Sequence, residues 1–331
     1  MNLHSLHGST RDEKIEWAKS ASLADAMAYS DYLLTDTIYQ TNKTHSVVGV
    51  VGMYSGGNDS TTFIHMLRHR LTHAAHVNTG IGVRETREFV RDTCRGMHLP
   101  LIEVTPSKGR EYQDLVAKWG FPGPNGHGIM YNRLKDRGFG KIRAQFVENP
   151  REQRVVFAAG MRCFESARRM RNTTETSRTG SIQWCSPIAY WTNDHMSEYR
   201  ETYDVPRNEV SDHLHMSGEC LCGAYAKVGE LGQLRFFYPE AAEEIDRVQK
   251  IAKAAKVHCV WGTPPPKKPP YAGDTPTWVC FHDLQSHRDD PNSCDDGTWW
   301  RDLKSMPTPP VGEFCVKCEV GVVGLDQEYS K

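Results

Sequence analysis

The sequence predicts an α/β protein: a mostly parallel, twisted sheet with helices on both faces and a small cysteine-rich C-terminal tail. Three observations carry that expectation. Short β-branched apolar runs alternate with segments of helical periodicity. Glycine-containing turns follow several of the runs, at the strand carboxyl ends where such sheets collect ligands. From Thr263, TPPPKKPPYAGDTP ends the pattern, because proline suits neither a helix interior nor a central strand.

The elements follow in order. Residues 1–45 read as polar and helical, with AKSASLADAMAYSDYLL as an amphipathic stretch. In VVGVVGMYSGGNDSTTFIHMLRHR, Val47 to Arg70, the residues Val47, Val48, Val50 and Val51 favour a buried strand over 47–53. Phe63, Ile64, Leu67 and Leu71 fall on one helical face, which predicts a helix over 60–72 capped by Asp59 or Ser60. AAHVNTG reads as a second strand, ETREFVRDTCRGMH as a second helix and PLIEVTP as a third strand. RVVFAAGM, Arg154 to Met161, reads as another buried strand. The expected organisation is an N-terminal helical segment (1–45), an α/β domain (46–258), and a proline-rich linker with a Cys- and Trp-containing tail (259–331).

Composition narrows the function. The 331 residues carry a net charge of -1, so nothing in the global charge points to nucleic acid or a membrane surface. No apolar run approaches the roughly 20 residues that span a bilayer, and MNLHSLHGSTRDEK lacks a signal-peptide core, so the expectation is a soluble cytoplasmic protein. Ten cysteines in such a chain suggest metal ligands or reactive thiols rather than a disulfide framework. Charge is concentrated locally. From Tyr131 to Arg178 there are twelve basic residues (Arg133, Lys135, Arg137, Lys141, Arg143, Arg151, Arg154, Arg162, Arg168, Arg169, Arg171, Arg178) against five acidic ones, a local excess of +7. This is either a solvated face with ordinary ion pairs or a basic wall for a polyanionic nucleotide or nucleic-acid strand. Its place beside the Ser-Gly-Gly turn favours the wall. In that turn Gly56 and Gly57 let the backbone approach a ligand closely, and the helix N-terminus behind them offers free N–H groups and a positive dipole end to an anion.

SGGNDS after a strand resembles the SGGxDS pyrophosphate loop of the adenine nucleotide α-hydrolases. HVNTGIGVRETREFV (His76–Val90), AAGMRCFESARRM (Ala158–Met170) and CSPIAYWTNDHMSEYRETYDVP (Cys185–Pro206) are similar, in the same order, to segments of the phosphoadenosine phosphosulfate reductase family. The resemblance covers roughly residues 45–235 and makes the α/β domain a nucleotide-binding one. It implies that Ser55, Gly56, Gly57, Asp59 and Ser60 hold the phosphate end of ATP or phosphoadenosine phosphosulfate, with Mg2+. Thr79 and Gly80 would lie near ribose and adenine, and Glu85 would start the following helix. Arg162, after Gly160, would neutralise the phosphoryl group under attack, with Glu165 orienting it and Arg168 and Arg169 in reserve. Two departures stand out. Asn58 occupies a position that is Lys in many members, and the short Glu-Cys-Gly-Leu-His type motif carrying the reductase nucleophile is absent.

The cysteines divide into two expected sets. In SGECLCGAY, Cys220 and Cys222 follow a turn, where related sulfur-handling members, among them DNA-phosphorothioation pyrophosphatases, carry a [4Fe-4S] cluster. Cys163 and Cys185 could complete such a set, zinc could take the same thiolates, and a redox-active pair is a further alternative. In the tail, Cys315 and Cys318 have the spacing of half a zinc knuckle that Cys280 and Cys294 could close, with His282 and His287 nearby. Cys94 and Cys259 read as ordinary buried thiols, and His213 and His215, beside the cysteine turn, as polar turn residues or as further ligands. The leading expectation is an enzyme that cleaves ATP to AMP and pyrophosphate in sulfur transfer or nucleic-acid modification. The alternatives are reduction of phosphoadenosine phosphosulfate to sulfite by Cys220, Cys222, Cys315 or Cys318, and a nucleic-acid-binding module with an inactive nucleotide pocket.

Overall fold

The computed structural model describes residues 6, 8–227 and 229–262, together with the backbone of 278–280 and 299–301. One sheet contains β1 (Ser46–Met53), β2 (His73–Val77), β3 (Leu101–Val104), β4 (Gln153–Ala159), β5 (Thr176–Thr179) and β6 (Ile182–Cys185), in the order β3-β2-β1-β4-β6-β5. Neighbours run parallel except β5, which is antiparallel to β6. Val51 pairs with His73 on one side and Phe157 on the other, and Phe157 pairs in turn with Trp184. Val155, Val156, Phe157 and Ala158 are all fully buried, the unbroken apolar run of a parallel strand covered on both faces.

Two helices, α1 (Arg11–Ser20) and α2 (Leu23–Asn42), precede the sheet. Thr10 and Glu13 form a reciprocal capping box on α1, and the Ser22 side chain caps α2. The buried stripe of α2, including Leu23, Ala26, Ser30, Leu33, Leu34 and Thr37, follows the helical period. It packs into the same core as Phe63, Ile64 and Trp191, and Trp191 Nε1 donates to Ser30 Oγ at 2.8 Å. The first helices therefore share the core of the sheet.

The chain steps outward from β1 through α3 (Asn58–Leu67) to β2, and through α4 (Arg84–Gly96) to β3. It returns through α5 (Tyr112–Trp119), α6 (His127–Tyr131), a π-helical turn (Asn132–Asp136) and α7 (Arg137–Ala144) to β4, on the other side of β1. Strand order thus reverses between β1 and β4, and the crevice beyond their carboxyl ends is the switch point where such sheets bind ligands. Ser55–Ser60 follows β1 and Gly160–Arg162 follows β4. After α8 (Ala167–Asn172), β5 and β6 come α9 (Asn193–Thr202), α10 (Glu209–Leu214), α11 (Glu230–Phe237) and α12 (Pro239–Ala254). Ala242, Ile245 and Val248 of α12 join Tyr112, Val116 and Leu221 in a second core.

The expected helix over 60–72 begins earlier and gives way to a 3-10 turn at Arg68–Arg70. Its N-cap is Gly57, with no side-chain cap, rather than Asp59 or Ser60. Both polar side chains are engaged elsewhere: Ser60 Oγ donates to the Gly57 carbonyl at 2.9 Å, and Asp59 pairs with Arg162. The β5–β6 hairpin, turned at Gly180 in the left-handed region, had no counterpart among the sequence expectations. TPPPKKPPYAGDTP lies outside the described residues. Beyond it, β7 (Trp278–Cys280) and β8 (Trp299–Arg301) pair as an antiparallel ribbon. No helix among the described residues is long and apolar enough to cross a membrane.

Candidate functional site

The turn after β1 is built to present backbone N–H groups. Gly56 sits at φ +80°, where a side chain would be strained and a Cβ would lie 2.8 Å from Thr86 Cγ2. Its carbonyl accepts from Asn208 Nδ2 at 2.9 Å, which pins the loop. Ser55 Oγ lies 3.0 Å from Ser60 Oγ, so two hydroxyls converge over the loop. No side chain caps α3, leaving its leading N–H groups and the positive dipole end open to an anion.

Behind the loop, Arg162 Nε donates to Asp59 Oδ2 at 2.9 Å. Arg162 Nη1 donates to Asn193 Oδ1 at 2.8 Å and reaches the Trp191 carbonyl at 3.5 Å. Arg162 is fully buried, whereas the Asp59 side chain keeps 20% exposure. A guanidinium with no accessible surface does not touch a ligand, so the expected direct phosphoryl contact gives way to another role: Arg162 fixes the Asp59 carboxylate. Nor is Glu165 its orienting partner. Glu165 lies 3.1 Å from Arg169 Nε, and burial pushes its carboxyl up. Arg168 is exposed. Gly160 brings the end of β4 against α3, where an added Cβ would sit 3.0 Å from both the Asp59 carbonyl carbon and Ser60 Cα.

The residues expected near ribose and adenine divide. Thr79 is fully buried, its hydroxyl shared between the Ile81 and Glu219 carbonyls. Gly80 is exposed, at φ +78°, and donates to Asn78 Oδ1 at 3.0 Å. Glu85 is exposed in the first turn of α4. Its neighbour Thr86 is the residue that faces the loop, and it donates to the Ser217 carbonyl at 2.6 Å.

The cysteine turn lies directly over the phosphate loop. A Cβ on Gly57 would lie 3.1 Å from Ser217 Cβ. Val83 N–H donates to the Gly218 carbonyl at 2.8 Å and Leu221 N–H to the Ile81 carbonyl at 2.7 Å, so 81–83 and 218–221 pair like two short strands. Tyr112 Oη donates to the Cys222 carbonyl at 2.9 Å and Trp261 Nε1 to the Leu221 carbonyl at 2.7 Å. Beside the thiols, Lys135 Nζ pairs with Glu219 at 2.9 Å. A hydrogen bond from Cys220 pulls the Cys222 thiol down to about 7, with help from the Ala224 N–H and the Lys135 charge, while Cys220 itself is pushed up.

The expected four-cysteine set is not assembled. Cys163, near Arg11 Nη2 at 3.5 Å, and Cys185, near Thr37 Oγ1 at 3.5 Å, lie in the core with α1 and α2. Cys220 and Cys222 belong to the second core. Burial pushes Cys163 up and Cys185 up to about 12, as it does Cys94; apolar packing disfavours the thiolate a metal needs. Among the described residues no group of three or more His, Cys, Asp or Glu could hold a metal ion, so Cys163, Cys185, Cys220 and Cys222 as arranged do not fit a [4Fe-4S] cluster. In the tail, Cys280 lies on β7, and Cys294, Cys315, Cys318, His282 and His287 lie outside the described residues. His213 Nδ1 meets Tyr238 Oη at 2.8 Å and the ring stacks on Phe237.

Sequence reasoning missed Thr86, Asn193, Asn208, Ser217 and Arg200. Arg200 is buried, pulled down to about 10 by burial, and reaches the Asn58 carbonyl at 3.5 Å. All but Asn208 lay inside quoted motifs, where their polar type alone did not distinguish them from surface residues. A separate cleft on α1 and α2 is lined by Asp12, Glu13, Glu16 and Asp25, the wrong charge for a polyphosphate.

The structure is similar to that of the phosphoadenylyl-sulfate (PAPS) reductase of Candida auris in a phosphate complex, at 12% identity over 62% of this chain and 92% of that one, TM-score 0.40. It is also similar to the NMN synthetase of Francisella tularensis (15% identity, 71% and 94% covered, TM-score 0.42). A third is the FMN adenylyltransferase of Candida glabrata in complex with ATP (12% identity, 61% and 66% covered, TM-score 0.41). No curated protein matches the sequence. Residues 49–231, more than half of the chain and the span that holds both the phosphate loop and the cysteine turn, match the phosphoadenosine phosphosulfate reductase domain, and the chain belongs to that family.

Proposed function

We propose that the protein cleaves ATP to AMP and pyrophosphate, activating an acceptor for sulfur transfer or nucleic-acid modification. The uncapped N-terminus of α3 behind Ser55–Gly57 carries this reading. Its N–H groups, with the Ser55 and Ser60 hydroxyls, suit the pyrophosphate end of the nucleotide. An acceptor oxygen attacks the α-phosphorus, the bond to the bridging oxygen breaks, and pyrophosphate leaves into the loop. A sulfur nucleophile then displaces AMP from the activated acceptor. Asp59, whose side chain keeps 20% exposure, would be the carboxylate that meets the Mg2+ accompanying ATP, and the metal would offset charge on the phosphate oxygens. Arg162 is a positioning residue that holds Asp59 in place.

The test is product analysis on anaerobically purified protein. Mg-ATP is supplied with a sulfide donor and with single-stranded or duplex nucleic acid, and Asp59→Ala serves as the blank. AMP and pyrophosphate that depend on Asp59 are the expected outcome. Absence of ATP binding and of AMP in every arm would refute the reading.

One arrangement favours a second reading: the cysteine turn begins at Ser217, which packs on Gly57 of the loop, and the hydrogen bond from Cys220 pulls the Cys222 thiol down. In this reading the Cys222 thiolate attacks the sulfur of phosphoadenosine phosphosulfate and adenosine 3′,5′-bisphosphate leaves. An external dithiol then releases sulfite, is itself oxidised to a disulfide and regenerates the thiol. Sulfite formation that disappears in Cys222→Ser would favour it, and sulfite formation that survives would remove the assignment.

A further inference from the structure

We infer that the face formed by His127, Tyr131 and Tyr225, flanked by Lys135, Arg168 and Arg169, binds a single-stranded polynucleotide. As an acceptor site this deepens, and rests on, the ATP-cleavage reading above; as a binding site it stands on its own geometry.

The rings are exposed where apolar surface is normally withdrawn. Tyr225 is 60% exposed and Tyr131 38%, and Ile129, on the same helix as Tyr131, is 51% exposed. The His127 ring centroid lies 4.9 Å from Tyr225 and 5.8 Å from Tyr131, tilted by 53° and 43°. The three rings therefore form a rough wall and do not stack flat upon one another, which leaves ring surface for a partner. Burial, then the charges of Arg168 and Lys135, push His127 down, so at neutral pH it offers a neutral ring. A second aromatic station closes the preceding helix, α5: Trp119, 41% exposed, has Lys118 Nζ at 5.0 Å and the Arg133 guanidinium at 5.7 Å over its ring.

Rings interleaved with cations are the recognition chemistry of single strands, in which bases stack on aromatic faces and the backbone tracks positive charge. A duplex keeps its bases stacked inside and offers such rings nothing. Ring stations on both α5 and α6 exceed what one mononucleotide would occupy. Charge complementarity at the rings comes from the exposed Arg168, with Lys135 and Arg169 beside it in ion pairs to Glu219 and Glu165. Arg168 and Arg169 stand on α8, which follows the Gly160–Arg162 turn of the site. Arg169 pairs with Glu165, whose carboxyl feels the charges of both Asp59 and Arg162.

The experiment is fluorescence anisotropy of the full chain with labelled oligo-dT and oligo-U of about 20 nucleotides and a duplex of equal length, at about 50 and 200 mM salt. Single strands should bind, more tightly than the duplex. Tyr131→Ala and Tyr225→Ala should each weaken them by about fivefold to a hundredfold, the span of one base–ring stack. Tyr225→Phe should retain binding, and Arg168→Gln should flatten the salt dependence. Tyr39→Ala, an exposed tyrosine on α2, should change nothing. Single-strand binding unaltered in Tyr131→Ala and Tyr225→Ala, tighter binding of the duplex, or no anisotropy change would overturn the inference. The two proposals fail separately. Asp59→Ala should abolish AMP formation and leave single-strand binding intact. Ring-dependent binding without any AMP would sink the ATP reading alone, and AMP formation without binding would sink this one alone.

Discussion

Replacing Asp59 by alanine strands the Arg162 guanidinium in the core without its carboxylate. Breaking a buried ion pair by removing one partner costs about 3–5 kcal/mol, because the remaining charge stays desolvated. Two features put this pair at the lower end. Water reaches 20% of the Asp59 side chain, and Asn193 Oδ1 and the Trp191 carbonyl still accept from Arg162. The expected cost is about 3 kcal/mol, which at roughly 2–4 °C per kcal/mol for a chain of this size lowers Tm by about 6–12 °C. Arg162→Met should cost less, since the carboxylate it leaves behind can be hydrated and methionine refills much of the volume. The double variant Asp59→Ala/Arg162→Met should therefore be more stable than Asp59→Ala alone. Thermal and urea denaturation followed by circular dichroism measure all three against the parent. A drop for Asp59→Ala within about 2 °C of zero, or a double variant no better than the single, would refute the claim that burial of Arg162 gives the pair its weight.

Three further outcomes follow from close approaches and from the thiols. Gly160→Ala places a Cβ 3.0 Å from two backbone atoms of α3, so the first turn must shift; about 1–3 kcal/mol of stability and most nucleotide binding by calorimetry should be lost, and unaltered binding would count against the anion site. Gly82→Ala puts a Cβ 2.3 Å from the Glu219 carbonyl oxygen, so exchange of the Leu221 and Val83 amides should speed up while β1 amides stay protected. Alkylation of Cys222, followed by peptide mass spectrometry, should rise through a midpoint near pH 7 as the thiolate forms. Cys220→Ala should move that midpoint upward towards the ordinary thiol value of about 8.5, and an unmoved midpoint would remove the Cys220 hydrogen bond as its cause.

The sheet was legible because its strands are apolar on both faces and its loops are marked by glycine. Val47–Val51 and Arg154–Ala158 could be read without any partner in view, and each lies on a strand. The β5–β6 hairpin was not legible, because TSRT is polar and wholly exposed along its length, so no burial pattern announces it. The phosphate loop was legible as a motif, since only small residues suit its backbone. The role of Arg162 was not. A sequence gives residue type and order, but whether a guanidinium meets a ligand or a carboxylate depends on burial, which long-range packing decides. The same holds for the cysteines: Cys163 and Cys185 are near the others in no sense that spacing could reveal, because α1 and α2 close over them.

What joins the phosphate loop to the thiols is backbone rather than side-chain chemistry. Ser217 rests on Gly57, and Cys220 is three residues further on, a reach of at most about 10–11 Å for extended chain. The 81–83 and 218–221 pairing holds that stretch in place, and Gly82 and Gly218 are the positions where a side chain would break it. Any movement that opens the loop to a nucleotide from above must therefore displace the Cys220–Cys222 turn. On a bound nucleotide the thiol turn and the phosphate loop would then act as one unit. In the sulfonucleotide reading Cys222 meets the sulfur of the bound nucleotide, whereas the ATP reading assigns that thiol no step. A nucleotide that shields Cys222 from alkylation would establish that unit whichever reaction it serves, and unchanged alkylation at saturating nucleotide would mean the thiols and the phosphate loop work separately.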